Sequence, residues 1–110
     1  MNKSHADLLP GMLDMLILQT LTSGPLYGYA IAKSLYTTSK EVFGVEQGSL
    51  YPALFRMERK GWLTHFWGES ETGRRVKFYR LTRSGRNQLK QRESAWLTFV
   101  EAVTNVMSGR

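Results

Sequence analysis

The 110-residue sequence contains no cysteine. That excludes disulfides, thiolate zinc sites and thiol-based redox sensing, and it is compatible with a cytoplasmic location. Long hydrophobic runs are also missing. Leu8 to Leu21 is the richest stretch, but Pro10, Gly11, Asp14, Gln19 and Thr20 interrupt it. Nothing approaches the roughly 18 consecutive apolar residues of a membrane span. The opening Met-Asn-Lys-Ser-His-Ala-Asp does not follow the basic, apolar and small-residue order of a signal peptide, so no leader is expected. Proline is scarce, with three copies, and acids are the minority charge, nine against fifteen Lys and Arg.

Catalytic constellations are absent too. His5 sits near the start and His65 stands alone in a strand-like run, so neither joins an acid/base or metal-binding set. The scattered glycines form no phosphate-binding loop. Glu69 and Glu71 flank a polar turn and do not read as a catalytic pair. No enzyme, metal or cofactor is expected.

What the chain does have is a net charge of +6 and 42% hydrophobic residues, the balance of a folded domain with an anionic partner. The charge is concentrated. Between Arg56 and Arg92 there are eleven Lys and Arg against three acids, a local balance of +8 that exceeds the whole chain's. The remainder is slightly acidic. At this length one domain is expected, with room for a core and little else.

Hydrophobic spacing orders the elements. A first helix is expected over about 11–22, with Pro10 near its start. Met12, Leu13, Met15, Leu16, Ile17, Leu18 and Leu21 make it apolar on nearly every side. Such a helix must be buried on more than one face, which points to Leu13 and Ile17 as subunit-interface residues. Ser23-Gly24-Pro25 ends it. A second helix follows over about 27–37, with Ile31 and Leu35 one turn apart. A third runs over about 47–60, with Leu50, Leu54 and Met57 as its buried stripe and Gly61 as its stop. Pro52 fits poorly inside it, because it removes the bond to the Gly48 carbonyl. Either the helix effectively begins near Ser49, or its first turn is distorted.

Two strand-like runs, 62–68 and 75–81, flank the polar turn Glu69-Ser70-Glu71-Thr72-Gly73-Arg74 and predict a hairpin with a charged tip. Thr82 then caps a long helix over about 83–107. Leu89, Arg92, Trp96, Phe99, Val103 and Val106 recur there at spacings of three and four, the pattern of a coiled-coil seam. The fold class is therefore mainly α with a small β-hairpin (α+β): a winged helix-turn-helix of three helices plus wing, then a C-terminal dimerisation helix. Residues 1–82 form the DNA-binding region and 83–110 the dimerisation helix, in one compact domain overall.

In that arrangement the third helix enters the major groove of double-stranded DNA. With Leu50, Leu54 and Met57 inward, Gln47, Ser49, Tyr51 and Phe55 lie on the outward side. Gln47, Ser49 and Tyr51 are candidate DNA-binding residues. Arg74, Arg75 and Lys77 on the wing are candidates for phosphate contact, with Tyr27 and Lys33 as further backbone contacts. The bland alternatives are a solvated helix start, a Tyr51 that covers the core, and wing charges that only protect an exposed edge. The homodimer interface is expected at Leu13, Ile17, Leu89, Trp96, Phe99, Val103 and Val106. Two facing Trp96 indoles would leave a slot for a small aromatic effector, although an aromatic at helical spacing is more often core.

Five runs stand in order along the chain: Leu9-Pro10-Gly11-Met12-Leu13-Asp14-Met15-Leu16-Ile17-Leu18, Gly24-Pro25-Leu26-Tyr27-Gly28-Tyr29, Gly48-Ser49-Leu50-Tyr51-Pro52-Ala53-Leu54, Glu58-Arg59-Lys60-Gly61-Trp62-Leu63 and Phe78-Tyr79-Arg80-Leu81-Thr82-Arg83-Ser84-Gly85. In order and spacing they resemble the PadR family of transcriptional regulators. The resemblance covers about residues 8–96 and is to the short branch with a single C-terminal helix. It implies a bacterial repressor that dimerises through its last helix and binds inverted-repeat operators. Some members release DNA on binding phenolic acids, drugs or other planar compounds, which in multidrug-responsive members stack on a tryptophan of the final helix; Trp96 falls in that helix here. Recognition helices of the family commonly carry a proline where Pro52 stands. Two rival readings remain. One is a winged-helix protein–protein interaction module without sequence-specific DNA binding, which would have no need of the concentrated charge. The other is peripheral membrane binding, which the acidic end of the last helix and its narrow seam disfavour.

Overall fold

The computed structural model describes residues 12–109; His5, Pro10 and Gly11 lie outside them. Helix α1 (Leu13–Thr20) tightens into a 3₁₀ turn over Leu21–Ser23 and is followed by a two-residue strand, β1 (Leu26–Tyr27). Helices α2 (Gly28–Thr38) and α3 (Gln47–Arg59) come next, then strands β2 (Leu63–Glu69) and β3 (Arg75–Leu81), and finally α4 (Arg83–Met107). The fold is a winged helix-turn-helix with an appended long helix.

The sheet is where the expectation needs correcting. It has three antiparallel strands in the order β1-β3-β2, so the hairpin is not isolated. Leu26 pairs with Tyr79 and Tyr27 with Phe78, which ties the entry of α2 to the wing. Two residues after a proline carry no readable alternation, so this strand exists only because β3 offers it an edge.

The core lies where α1, α2, α3 and the base of the sheet meet. Ile17, Leu18, Leu21, Ile31, Leu50, Leu54, Met57 and Leu63 are its fully buried large side chains, each stabilising the fold by roughly 1.5–3 kcal/mol through burial. Asp14, also buried, binds the Arg56 guanidinium of α3 at 2.5 Å and lies 3.9 Å from that of Arg92 on α4.

The same core revises part of the expected subunit interface. Leu13, Ile17 and Leu89 are buried within a single chain, Ile17 completely. Helix α1 packs against α2, α3 and α4 of its own chain, and that packing accounts for the burial of these three side chains without a second subunit.

Helix α3 shows how Pro52 is tolerated. The helix starts at Gln47, and the Glu46 carbonyl accepts from both Ser49 (3.0 Å) and Leu50 (2.9 Å). Pro52 sits inside the helix, and the carbonyl it leaves without a fourth-residue donor belongs to exposed Gly48, where outside donors can reach it. At the other end Gly61 takes φ +79°, its N–H bonds the Glu58 carbonyl, and the Trp62 N–H bonds that of Met57. That is a Schellman stop, and it aims the chain into β2.

The start of α4 is locked to the same corner. The Thr82 hydroxyl donates to the Gly61 carbonyl (2.6 Å) and accepts from the Gly85 N–H (3.0 Å), while the Thr82 N–H bonds the Trp62 carbonyl. Gly85 is needed for contact: a Cβ there would stand 2.1 Å from the Trp62 carbonyl oxygen. The recognition helix, the wing and the long helix therefore share one joint.

Candidate nucleic-acid interface

Strand alternation sorts the wing into two faces. Leu63, His65, Trp67 and Glu69 stand opposite Leu81, Tyr79, Lys77 and Arg75 on the face turned toward the helices. Near the base these residues are core. Toward the tip the sheet outgrows the helices, and Trp67 is 51% exposed. The Arg75 guanidinium lies 5.1 Å from its ring centre and the Lys77 ammonium 5.8 Å, so two cations are held on one aromatic plate.

Opposite that plate are the start of α2 and the first half of α3. Tyr27, Gly28, Tyr51, Trp67, Lys77 and Tyr79 line a groove of about 270 Å³ between helices and wing. Gly28 makes the approach possible, since a Cβ there would stand 2.6 Å from the Tyr51 hydroxyl. Tyr51 therefore packs over α2 and also presents a half-exposed edge to the groove. Burial raises the Tyr79 phenol above its usual range, with the nearby Glu58 charge adding to the effect. His65 is not alone: its ring contacts the Glu58 carboxylate, joining the wing base to α3.

The wing tip is held as well. The Tyr27 hydroxyl donates to Glu71 at 2.7 Å. This bond, with the Lys33 charge helping, holds the Glu71 carboxyl below its ordinary range, and it holds the Tyr27 phenol above its own. Gly73 at φ +81° closes the turn, with the Ser70 N–H bonding the Arg74 carbonyl at 2.8 Å. Arg74 and Arg75 are exposed beside it.

The structure thus brings Tyr27, Tyr51 and Lys77 together in one groove, with Arg75 over its Trp67 wall and with Arg74 and Lys33 at the tip. Gln47 and Ser49 do not line it. They are exposed at the start of α3, which no side chain caps. The first amides of such a start have no helical carbonyl to bond and suit a phosphate. Trp67 and Glu71 are the residues that sequence reasoning missed. Alternation on β2, once paired with β3, would have put Trp67 beside Lys77; the Tyr27–Glu71 contact spans 44 residues and left no local signal.

Along α4, Phe99, Val103 and Val106 are exposed, as are Leu97, Val100 and Met107. Trp96 is 37% exposed and lines a cleft of about 260 Å³ between α1 and α4, with Met12, Met15, Leu16, Phe43 and Leu89. Among the described residues no three His, Asp or Glu side chains gather as a metal site, and no helix is long and apolar enough to cross a membrane.

The family model described as the transcriptional regulator PadR-like family matches residues 17–91, from the core of α1 through the wing into α4. The chain belongs to the PadR-like family of transcriptional regulators. Solved structures agree. A PadR-family transcriptional regulator from Eggerthella lenta is 31% identical, with 96% of this chain and 89% of that one covered and a TM-score of 0.81. A PadR-like transcriptional regulator from Bacillus cereus is 28% identical over 94% and 99% of the two chains, also at 0.81. A transcriptional regulator from Clostridium thermocellum is 29% identical over 90% and 96%, at 0.82. As a PadR-like protein, this chain carries its groove between the recognition helix and the wing of a winged-helix regulator.

Proposed function

We propose that this PadR-like chain is a cytoplasmic homodimeric repressor that binds inverted-repeat operator DNA through α3 and the wing. The observation that carries the reading is the groove between the helices and the wing, with Arg75 and Lys77 fixed over Trp67. A duplex seated on α3 would bring a phosphate strand past this wall, where cations displace counterions. Residues 1–82 read DNA in this scheme and 83–110 dimerise. The exposed apolar face of α4 supports a second copy there, through Phe99, Val103 and Val106.

The cleft beside Trp96 supports a small aromatic effector. Its lining is mostly apolar, with Gln19 and Glu93 as the polar members, and a partner helix laid along α4 would close it into a site of the size that holds planar ligands. Binding there would change how the two α4 helices pack, and through the Thr82–Gly85 joint the spacing of the two reading heads.

The experiment is fluorescence anisotropy with duplex DNA from upstream of the protein's own gene, beside a scrambled duplex, near physiological salt. Preference for the native duplex by about a thousandfold or more establishes specific recognition. Equal, weak binding to both duplexes, and to fragments tiled across the neighbouring genes, would favour the interaction-module reading.

A further inference from the structure

The outward crest of α3 has almost no hydrogen-bonding side chains. Gly48, Pro52, Phe55 and Arg59 recur at i, i+4, i+7 and i+11, one line along the helix, opposite the buried Leu50, Ala53, Leu54 and Met57. Beyond the first turn, the polar residues on the flanks have partners within the fold. Tyr51 leans over Gly28, and Arg56 is bound to Asp14 at 2.5 Å. Pro52 is exposed, and Phe55 is 62% exposed with the Arg59 guanidinium over its ring at 5.7 Å. A large aromatic side chain is thus held out on the crest of the helix that faces DNA in the reading above.

The major groove presents donors, acceptors and one apolar group, the thymine 5-methyl. Pro52 and Phe55 can satisfy none of the donors or acceptors, so a base edge with only polar groups would be desolvated against them at a cost. We infer that Phe55, backed by Pro52, is a specificity-determining residue that recognises a thymine methyl in each operator half-site. Arg59 beside it then reaches the flanking phosphate. Phe55 lies two turns, about 10 Å, along the helix from Gly48, so its thymine is a separate position from the bases met by Gln47 and Ser49.

This inference rests on the DNA-binding reading, and the test separates the two. A pool of randomised duplexes is enriched on the full chain, and each thymine of the best duplex is then replaced singly by deoxyuridine, which removes only the methyl. One thymine per half-site should lose about fourfold in affinity on replacement, the effect of one buried methyl. Phe55→Ala should be indifferent to that replacement, and Phe55→Leu should remain sensitive. Because Phe55 is exposed and outside the core, Phe55→Ala should retain the wild-type thermal unfolding midpoint. Wild-type protein indifferent to every deoxyuridine, or a sensitive thymine equally sensitive in Phe55→Ala, overturns the inference while leaving DNA binding in place. No enrichment from the pool overturns the DNA-binding reading, and this inference with it.

Discussion

Replacing Arg74 and Arg75 together by alanine tests the wing through its salt dependence. Both are exposed at the tip, and Arg75 is already positioned over Trp67. Each phosphate contact contributes about 0.9 to the slope of log affinity against log salt. A dimer with both heads on DNA loses four such contacts, so the slope should flatten by about 3.6. Expressed as affinity, the penalty of the double substitution should be about fifty-fold larger at 50 mM salt than at 150 mM. The assay is anisotropy with one labelled duplex, titrated at several salt concentrations for wild type and variant. Two parallel lines, the variant weaker by a constant factor, would refute the reasoning. The arginines would then act by packing against Trp67 and not by phosphate contact. A change of half the expected size would mean two lost phosphate contacts, from both arginines of a single engaged head or from one arginine in each.

Three more outcomes are expected. Gly85→Ala should destabilise the fold by about 1–3 kcal/mol, because its methyl meets the Trp62 carbonyl, which is backbone and cannot turn aside; an unchanged urea midpoint would show that the α4 joint yields freely. Val103→Asp should convert the proposed dimer to monomers by placing a charge in the apolar face of α4, and sedimentation of the variant as a dimer would move the interface elsewhere. The Tyr27–Glu71 bond should hold at neutral pH and be lost as pH falls through the lowered Glu71 value, since a depressed carboxyl favours the native arrangement only while ionised. In Tyr27→Phe the Glu71 carboxyl should titrate nearer its ordinary range by NMR, and identical titration in both proteins would rule the bond out.

The family and most of the architecture were legible in the residues because their signals are local. Gly61 after a buried stripe at 50, 54 and 57 marks the end of α3, and Thr82 before Gly85 marks the start of α4, whatever the rest of the chain does. Periodicity also named the core face of α3, and by subtraction its outer face. The same periodicity did not show that Leu13, Ile17 and Leu89 are buried within their own chain. An all-round apolar helix says that burial is needed and does not say which chain supplies it.

What the sequence determined by itself was the order of elements, the helix stops and caps, and the placing of +8 charge over the third helix, the wing and the first part of α4. These follow from backbone preference and from residues within a few positions of one another. Only the tertiary structure decided that β1 joins the wing, that Trp67 carries two cations opposite Tyr51, and that Tyr27 holds Glu71. It also decided that Asp14 of α1 engages Arg56 of α3. Each of these depends on contacts between residues far apart in the chain, whose partners are fixed only when the helices and the sheet pack together.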